Sequence, residues 1–494
     1  MTTINSPRLA GQCRPLTLLL AVSLALASGC AQVPRLDPPP AMKKVNELGS
    51  SSSFAAPSTA WPGNEWWRGY GDPQLDALIE EALHNAPDLD LAQARLKAAA
   101  AQVQGAGATR LPEVTASAEI AEATQSYDFL VPRQALPKGW NGYGSATLNM
   151  SYELDFWGKN RASLAAAVSE QCAAEVEIAQ TRLILSTSVA SAYAGLLHLY
   201  TLRDNAAETL ALRMQTVALF RQRHQFGLET LSSVRQVEAR QAAAKGDLLA
   251  IDERIALQRN AIAALLGAGP DRGLEITRPK VAWVGSQGLP SNLSLDLLGR
   301  RPDIVAARLR TEAAAHRIDQ RKAGFYPSVN LLAFAGFQAV GIDNLLKSAS
   351  QSGAAGPAIS LPIFNTDRLQ GQYKGAVAEY DAAVATYNGT LSNALREVAD
   401  AATSRKSLDE ELAAARAAVA AAAEAHQIVS SRYEGELATY LDVLSAEDSL
   451  ISARRSEAEL ETRALILDVS LVRALGGGFT PPDSSGAPTQ NPQT

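Results

Sequence analysis

Cysteine is almost missing from this chain: Cys13, Cys30 and Cys172 are the only three in 494 residues. A disulfide-built scaffold is therefore excluded, and stability has to come from a large core or from assembly. The five histidines, His84, His198, His224, His316 and His426, have no metal-ligand spacing, and no glycine-rich phosphate loop follows a strand. Basic charge is not in excess either. The net charge is −6, and beyond residue 29 there are 43 basic against 51 acidic groups, which argues against a nucleic-acid partner. Carboxylate pairs such as Glu397 with Asp400, or Asp409 with Glu410 and Glu411, lie in alanine-rich helical sequence and read as solvated faces rather than acid/base catalysts. Nothing here suggests an enzyme. Proline is absent from Lys138 to Gly269 and again from Ile363 to Thr480. Both stretches are rich in Ala, Leu, Glu, Arg and Gln, so each predicts very long helices.

The first thirty residues are a targeting segment: Arg8 and Arg14, an apolar run from Leu16 to Ala27, then ASGC. The last part resembles a lipobox, which implies cleavage of residues 1–29 and acylation of Cys30 on sulfur and nitrogen. Ala27 stands where Leu is commoner, and Ala31, rather than an aspartate, sends such a lipoprotein to the outer membrane. The covalent lipid is the only prosthetic group expected. With Cys13 removed and Cys30 acylated, no intrachain disulfide remains possible. Residues 30–60, with PRLDPPP and SSSFAAPS, read as an extended and poorly packed tether that gives the anchor slack.

The chain repeats itself. APDLDLAQARLK returns 215 positions later as RPDIVAARLRT, pairing Pro87 with Pro302 and Asp88 with Asp303, and Leu111-Pro112 with Tyr326-Pro327. In RPD the aspartate invites a catalytic reading, but Asp303 behind Pro302 is better explained as a first-turn residue favoured by the helix dipole. After each RPD-like start the period changes from helical to alternating. Gly144, Ala146, Leu148, Met150, Tyr152, Leu154 and Phe156 interleave with mostly polar residues. SVNLLAFAGFQAV and AAGPAISLPIF form a second pair around a loop at Asn344 to Ser352. Each hairpin has strands of roughly 10–14 residues, enough to cross a bilayer at a tilt. A helix from Lys159 to the first interruption, RQRHQFGLET, would reach about 100 Å; the second interruption is SRYEGELATY. Here the copies realign at an offset of 209, matching Gly267 with Gly476, Leu228 with Leu437 and Thr230 with Thr439. One unit of helix, β-hairpin, long helix, turn and helix has been duplicated; a single unit could close neither a sheet edge nor a helical barrel, so the design implies assembly around an axis.

The stretches LASGC, WWRGYGDPQLDALIEEAL, YELDFWGKNRA, LGRRPDIVAARL, FYPSV, ISLPIF and YLDVLSAE resemble the TolC-like outer-membrane efflux proteins, in the lipoprotein branch that serves RND-type tripartite pumps. They run through nearly all of the mature chain in the family's order. The resemblance implies an α+β membrane protein: a homotrimer whose four strands per chain close one 12-stranded barrel, continued by a helical coiled-coil tunnel in the periplasm. It divides the chain into a signal peptide (1–29), a lipidated tether (30–60), a first repeat (61–269), a linker (270–300), a second repeat (301–478) and a tail (479–494). It implies a periplasmic adaptor and an inner-membrane RND-type transporter as partners, with small molecules as cargo; a type I protein-secretion or metal-efflux outlet is the alternative. The tips that meet the adaptor would be Gly227, Leu228 and Thr230, with Gly435, Leu437 and Thr439. The 209 offset places Glu436 where the first copy has Gly227, which predicts a second turn of different shape. The family's D-V-L-D pattern marks a periplasmic gate at Asp442, with Ser445 in place of its second aspartate. Leu441 and Leu444, also assigned to the gate, are expected to pack the coiled coil, with an apolar collar at the gate as the alternative role for either. Three aspartates on an axis would favour cations and make closure sensitive to pH and divalent ions.

Overall fold

The computed structural model describes residues 33–49, 54, 58–124, 126, 134, 138–281, 289–290, 293–363 and 365–481. The chain divides into two compact units. One is built from Lys97–Cys172 and Arg308–Ala385 with the N-terminal residues up to Ala41; the other comprises Met42–Leu96, Ala173–Ala307 and Thr386–Thr494. Each unit draws on both sequence repeats.

The first unit holds a four-stranded antiparallel sheet of β1 (Glu113–Ala123), β2 (Asn141–Leu154), β3 (Ser328–Val340) and β4 (Gln351–Ser360), in that spatial order. The alternating sequence sets the register. Ala146 lies opposite Ala118 on one side and Phe337 on the other, so the apolar residues of β2 share a face with those of β1 and β3. Two strands end earlier than their composition predicts. β2 stops at Leu154 because Asp155 turns to accept the Asn160 and Arg161 N–H groups at the next helix. β4 runs over Gln351–Ser360, three residues earlier at its start and four shorter at its end than AAGPAISLPIF suggests. Ser360 already faces Ser328, the first residue of its partner, and Pro362 has no N–H for a ladder. Beyond β2, Trp157 stacks on Tyr326 at 4.7 Å, and its Nε1–H donates to the Pro327 carbonyl at 2.7 Å.

Helix α1 (Pro73–Asn85) opens the second unit's core. Asp72 caps it by accepting the Gln74 N–H, with Pro73 in the first turn. The other Asp72 oxygen accepts from the Tyr193 hydroxyl and the Lys280 N–H, each at 2.7 Å. Trp67 and Tyr70 are buried in the same core beside Leu78, Ile79 and Val189, so the N-terminal tryptophans anchor this segment. The segment before them is not slack throughout. Val45 is 2% exposed within a second core with Leu297, Leu391 and Leu475, and the Lys43 N–H donates to Asn388 Oδ1 at 2.8 Å. Proline and serine in the sequence conceal this because the partners lie hundreds of residues away.

The helices follow the repeats: α2 (Pro87–Ala108), α3 (Lys159–Gln225) and α4 (Leu231–Leu265) in the first, α5 (Pro302–Ala323), α6 (Thr366–Glu434) and α7 (Tyr440–Ala474) in the second. The α3 helix has 67 residues and α6 has 69, both lying wholly within the two proline-free stretches. Matched residues close each copy on itself. Gly267, with φ +71°, leaves no room for a Cβ against the Asn85 carbonyl, and Gly476, with φ +88°, meets the Arg300 carbonyl in the same way. The two register marks, Pro87/Pro302 and Gly267/Gly476, therefore mark one closure made twice. In the second copy Arg301 is buried at this closure, donating to Asp303, to Glu397 Oε2 at 2.8 Å and to the Ala474 carbonyl at 3.1 Å. The aspartate of RPD thus pairs with its own arginine.

Candidate functional site

Two helix reversals in the second unit carry most of the candidate residues. At the end of α3 the Gly227 N–H donates to the His224 carbonyl at 3.0 Å and the Leu228 N–H to Arg223 at 2.9 Å. At the end of α6 the Glu436 N–H donates to Tyr433 at 3.1 Å and the Leu437 N–H to Arg432 at 2.7 Å. Both are the same left-handed helix stop. The expected difference in shape is not found: Glu436 adopts φ +60°, the only non-glycine residue with positive φ among the described residues, where Gly227 has φ +73°. Gly435, one place earlier, is not the residue that supplies the reversal.

Threonines start the return helices. Thr230 Oγ1 accepts the Ser233 N–H at 3.1 Å. Thr439 does the same for Asp442 at 3.4 Å, and Asp442 answers, its Oδ2 accepting from the Thr439 N–H at 2.8 Å and hydroxyl at 2.7 Å. These bonds from Thr439 hold the exposed Asp442 carboxyl below its usual range, the side-chain hydroxyl contributing most.

The fold brings the two reversals together. The Tyr433 hydroxyl donates to Glu229 Oε1 at 2.9 Å, and Phe220 packs on Tyr440 at 4.2 Å between centroids. Val217, Val234, Val237 and Val443 complete this small core. Burial, with Glu229 beside it, pushes the Tyr433 phenol above its ordinary value. Sequence reasoning missed the Tyr433–Glu229 bond, since nothing in the chain links positions 204 residues apart. On the outside, Leu228 is 57% and Leu437 71% exposed. Leu444 is buried as expected, whereas Leu441 is 71% exposed, because the face of α7 that meets the other helices carries Val443 and Leu444. Ser445 is exposed, its carbonyl accepting from Ser449. Cys30 lies outside the described residues.

The model of outer membrane efflux proteins matches the chain twice, over residues 78–268 and 293–477. The chain belongs to the outer membrane efflux protein family. The fusaric acid resistance protein FusA of Burkholderia cepacia is 36% identical over 366 residues, 73% of this chain and 68% of that protein. The multidrug resistance outer membrane protein MdtP of Shigella flexneri is 30% identical over 477 residues, covering 94% of this chain and 98% of its own. The crystal structure of the outer membrane protein VceC of Vibrio cholerae superposes with a TM-score of 0.81 at 47% identity, over 85% of this chain and 100% of that one. This efflux channel is an outer-membrane protein with the α+β fold of the TolC-like channels, and its family is one of channel proteins.

Proposed function

We propose that three copies of this efflux channel assemble into one exit duct of a tripartite pump. Each copy would contribute β1 to β4 to a 12-stranded barrel in the outer membrane and its helices to a periplasmic tunnel. The observation that carries this reading is the open sheet. Among the described residues β1 and β4 each pair on one side only, and an unpaired strand edge in a bilayer leaves backbone groups with no water to bond. Closure by like copies satisfies both edges. Native mass spectrometry of the detergent-extracted protein tests it: a trimer is expected, and a stable monomer would overturn the closure.

The paired reversals are the docking tips for a periplasmic adaptor, which links the duct to an RND-type transporter in the inner membrane. Exposed Leu228 and Leu437 at two identically shaped turns support this role, since solvent-facing leucines on tight turns gain from a partner's apolar surface. Asp442, with Ser445 one turn on and Leu441 and Leu444 beside it, forms the periplasmic gate as a single acidic ring. Cys30 carries the lipid anchor, which assists the barrel in holding the outer membrane. Mass spectrometry of the mature N-terminal peptide tests this; an unmodified terminus elsewhere would refute it. Relatives named for resistance to fusaric acid and to multiple drugs favour small organic molecules as cargo over proteins or metal ions.

A further inference from the structure

Beyond the reversals, α3, α4 and α7 enclose a charged node that neither the tips nor the gate uses. Arg213 of α3 donates to Glu447 Oε2 and to Asp448 Oδ1 of α7, both at 2.7 Å, and Arg240 of α4 reaches Asp448 Oδ2 at 3.2 Å. Glu447 has no exposed surface and Arg213 is 6% exposed. Two buried polar atoms here find no hydrogen-bond partner among the described residues: Glu447 Oε1, and the hydroxyl of Tyr440, seven residues earlier on the same face of α7. An ionised carboxylate can only accept hydrogen bonds, so an orphaned oxygen in the interior leaves the anion under-solvated despite Arg213.

We propose that Glu447 is a proton-binding site, taking a proton from the periplasm onto its carboxylate and thereby tightening the packing of the first helical hairpin against the second. Asp448 still pairs with both arginines once Glu447 is neutral, and the new O–H gives the Glu447 carboxyl a donor of its own. The direction follows from linkage. Burial outweighs Arg213 and raises the Glu447 carboxyl above its ordinary value in the packed node. A node that loosens and admits water returns the group toward that value, so proton uptake favours the packed form. The other groups facing the node do not titrate in the same sense. Burial lifts the Tyr440 phenol to about 12, and His426 of α6 is held below its ordinary value by burial and then by Arg454 and Arg213. This inference stands apart from the docking and gating roles, because it uses contacts within one chain only.

Hydrogen exchange on the full-length assembled protein tests it, compared at about pH 5.5 and 7.5 after correction for intrinsic rates. Protection in the helical stretches around Arg213 and Glu447 should rise at least about threefold at the lower pH. Glu447→Gln should show the high protection at both pH values, and His426→Gln, which removes a group whose protonation opposes packing, should keep or enlarge the wild-type difference. If Glu447→Gln retains the difference, or His426→Gln removes it, the proposal is overturned. Should Glu447→Gln not assemble, infrared difference spectra of the unmodified protein decide. The carbonyl band of a buried protonated carboxyl should appear above the pH range of exposed carboxyls, and its absence there would contradict the assignment.

Discussion

Thr439 and Asp442 cap each other: the threonine hydroxyl serves the aspartate N–H, and the aspartate carboxylate takes both the threonine N–H and its hydroxyl. The residue assigned to the gate is therefore fixed in place by the start of its own helix. Its depressed pKa means that the cap's contribution is complete above the ordinary carboxylate range and is lost only as pH falls through the lower folded value. Asp442→Asn should keep the helix start, since Thr439 remains the cap and the Asn side-chain oxygen can still accept the Thr439 N–H, while cation selectivity measured as reversal potential in a salt gradient falls. Unchanged selectivity and unchanged divalent block would remove Asp442 from the gate.

Glu436 holds a left-handed conformation that its matched Gly227 adopts freely. Glu436→Gly should stabilise the helical hairpin by about 1 kcal/mol, and Gly227→Ala should destabilise it by a similar amount, since nothing lies within 4 Å of the added Cβ and only backbone strain is at issue. Denaturant titration followed by circular dichroism reads both; opposite signs for the two variants are required.

Much of the architecture is legible in the sequence because its signals are local. The long helix starts at Lys159 as the sequence predicts, and Leu231 and Tyr440 begin the return helices directly after the threonines of the two interruptions. The strand SVNLLAFAGFQAV is read to the residue as Ser328–Val340. What could not be read depends on distant partners. The end of β4 is set by where Ser328 begins, the order of Val45 by Leu391 and Leu475, and the left-handed Glu436 by a backbone stop that overrides its residue type. The site was legible only in part for the same reason: the turns and caps are local, while Tyr433–Glu229 and Arg213–Glu447 join the two copies.

Arg301 ties the start of α5 to α6 and α7 through Asp303, Glu397 and the Ala474 carbonyl. These bonds, outweighing burial, keep its pKa above the usual value. Arg301→Met should destabilise the second unit by about 3 kcal/mol by leaving those acceptors without their cation. Loss of assembled protein after heating in detergent checks it, and Arg308→Met on the exposed face of the same helix should be close to neutral.

Leu228→Asp together with Leu437→Asp places charge on both exposed tip leucines without touching a buried contact. Assembly in the outer membrane should be normal and drug export in living cells lost. Full export by correctly assembled protein would show that the tips do not carry docking.

Single-channel recording of the purified, reconstituted protein tests the exit-duct reading most directly. Discrete, cation-preferring conductance steps are expected, each from one closed assembly of three chains. Assembled trimers that conduct nothing under any voltage or pH would contradict it.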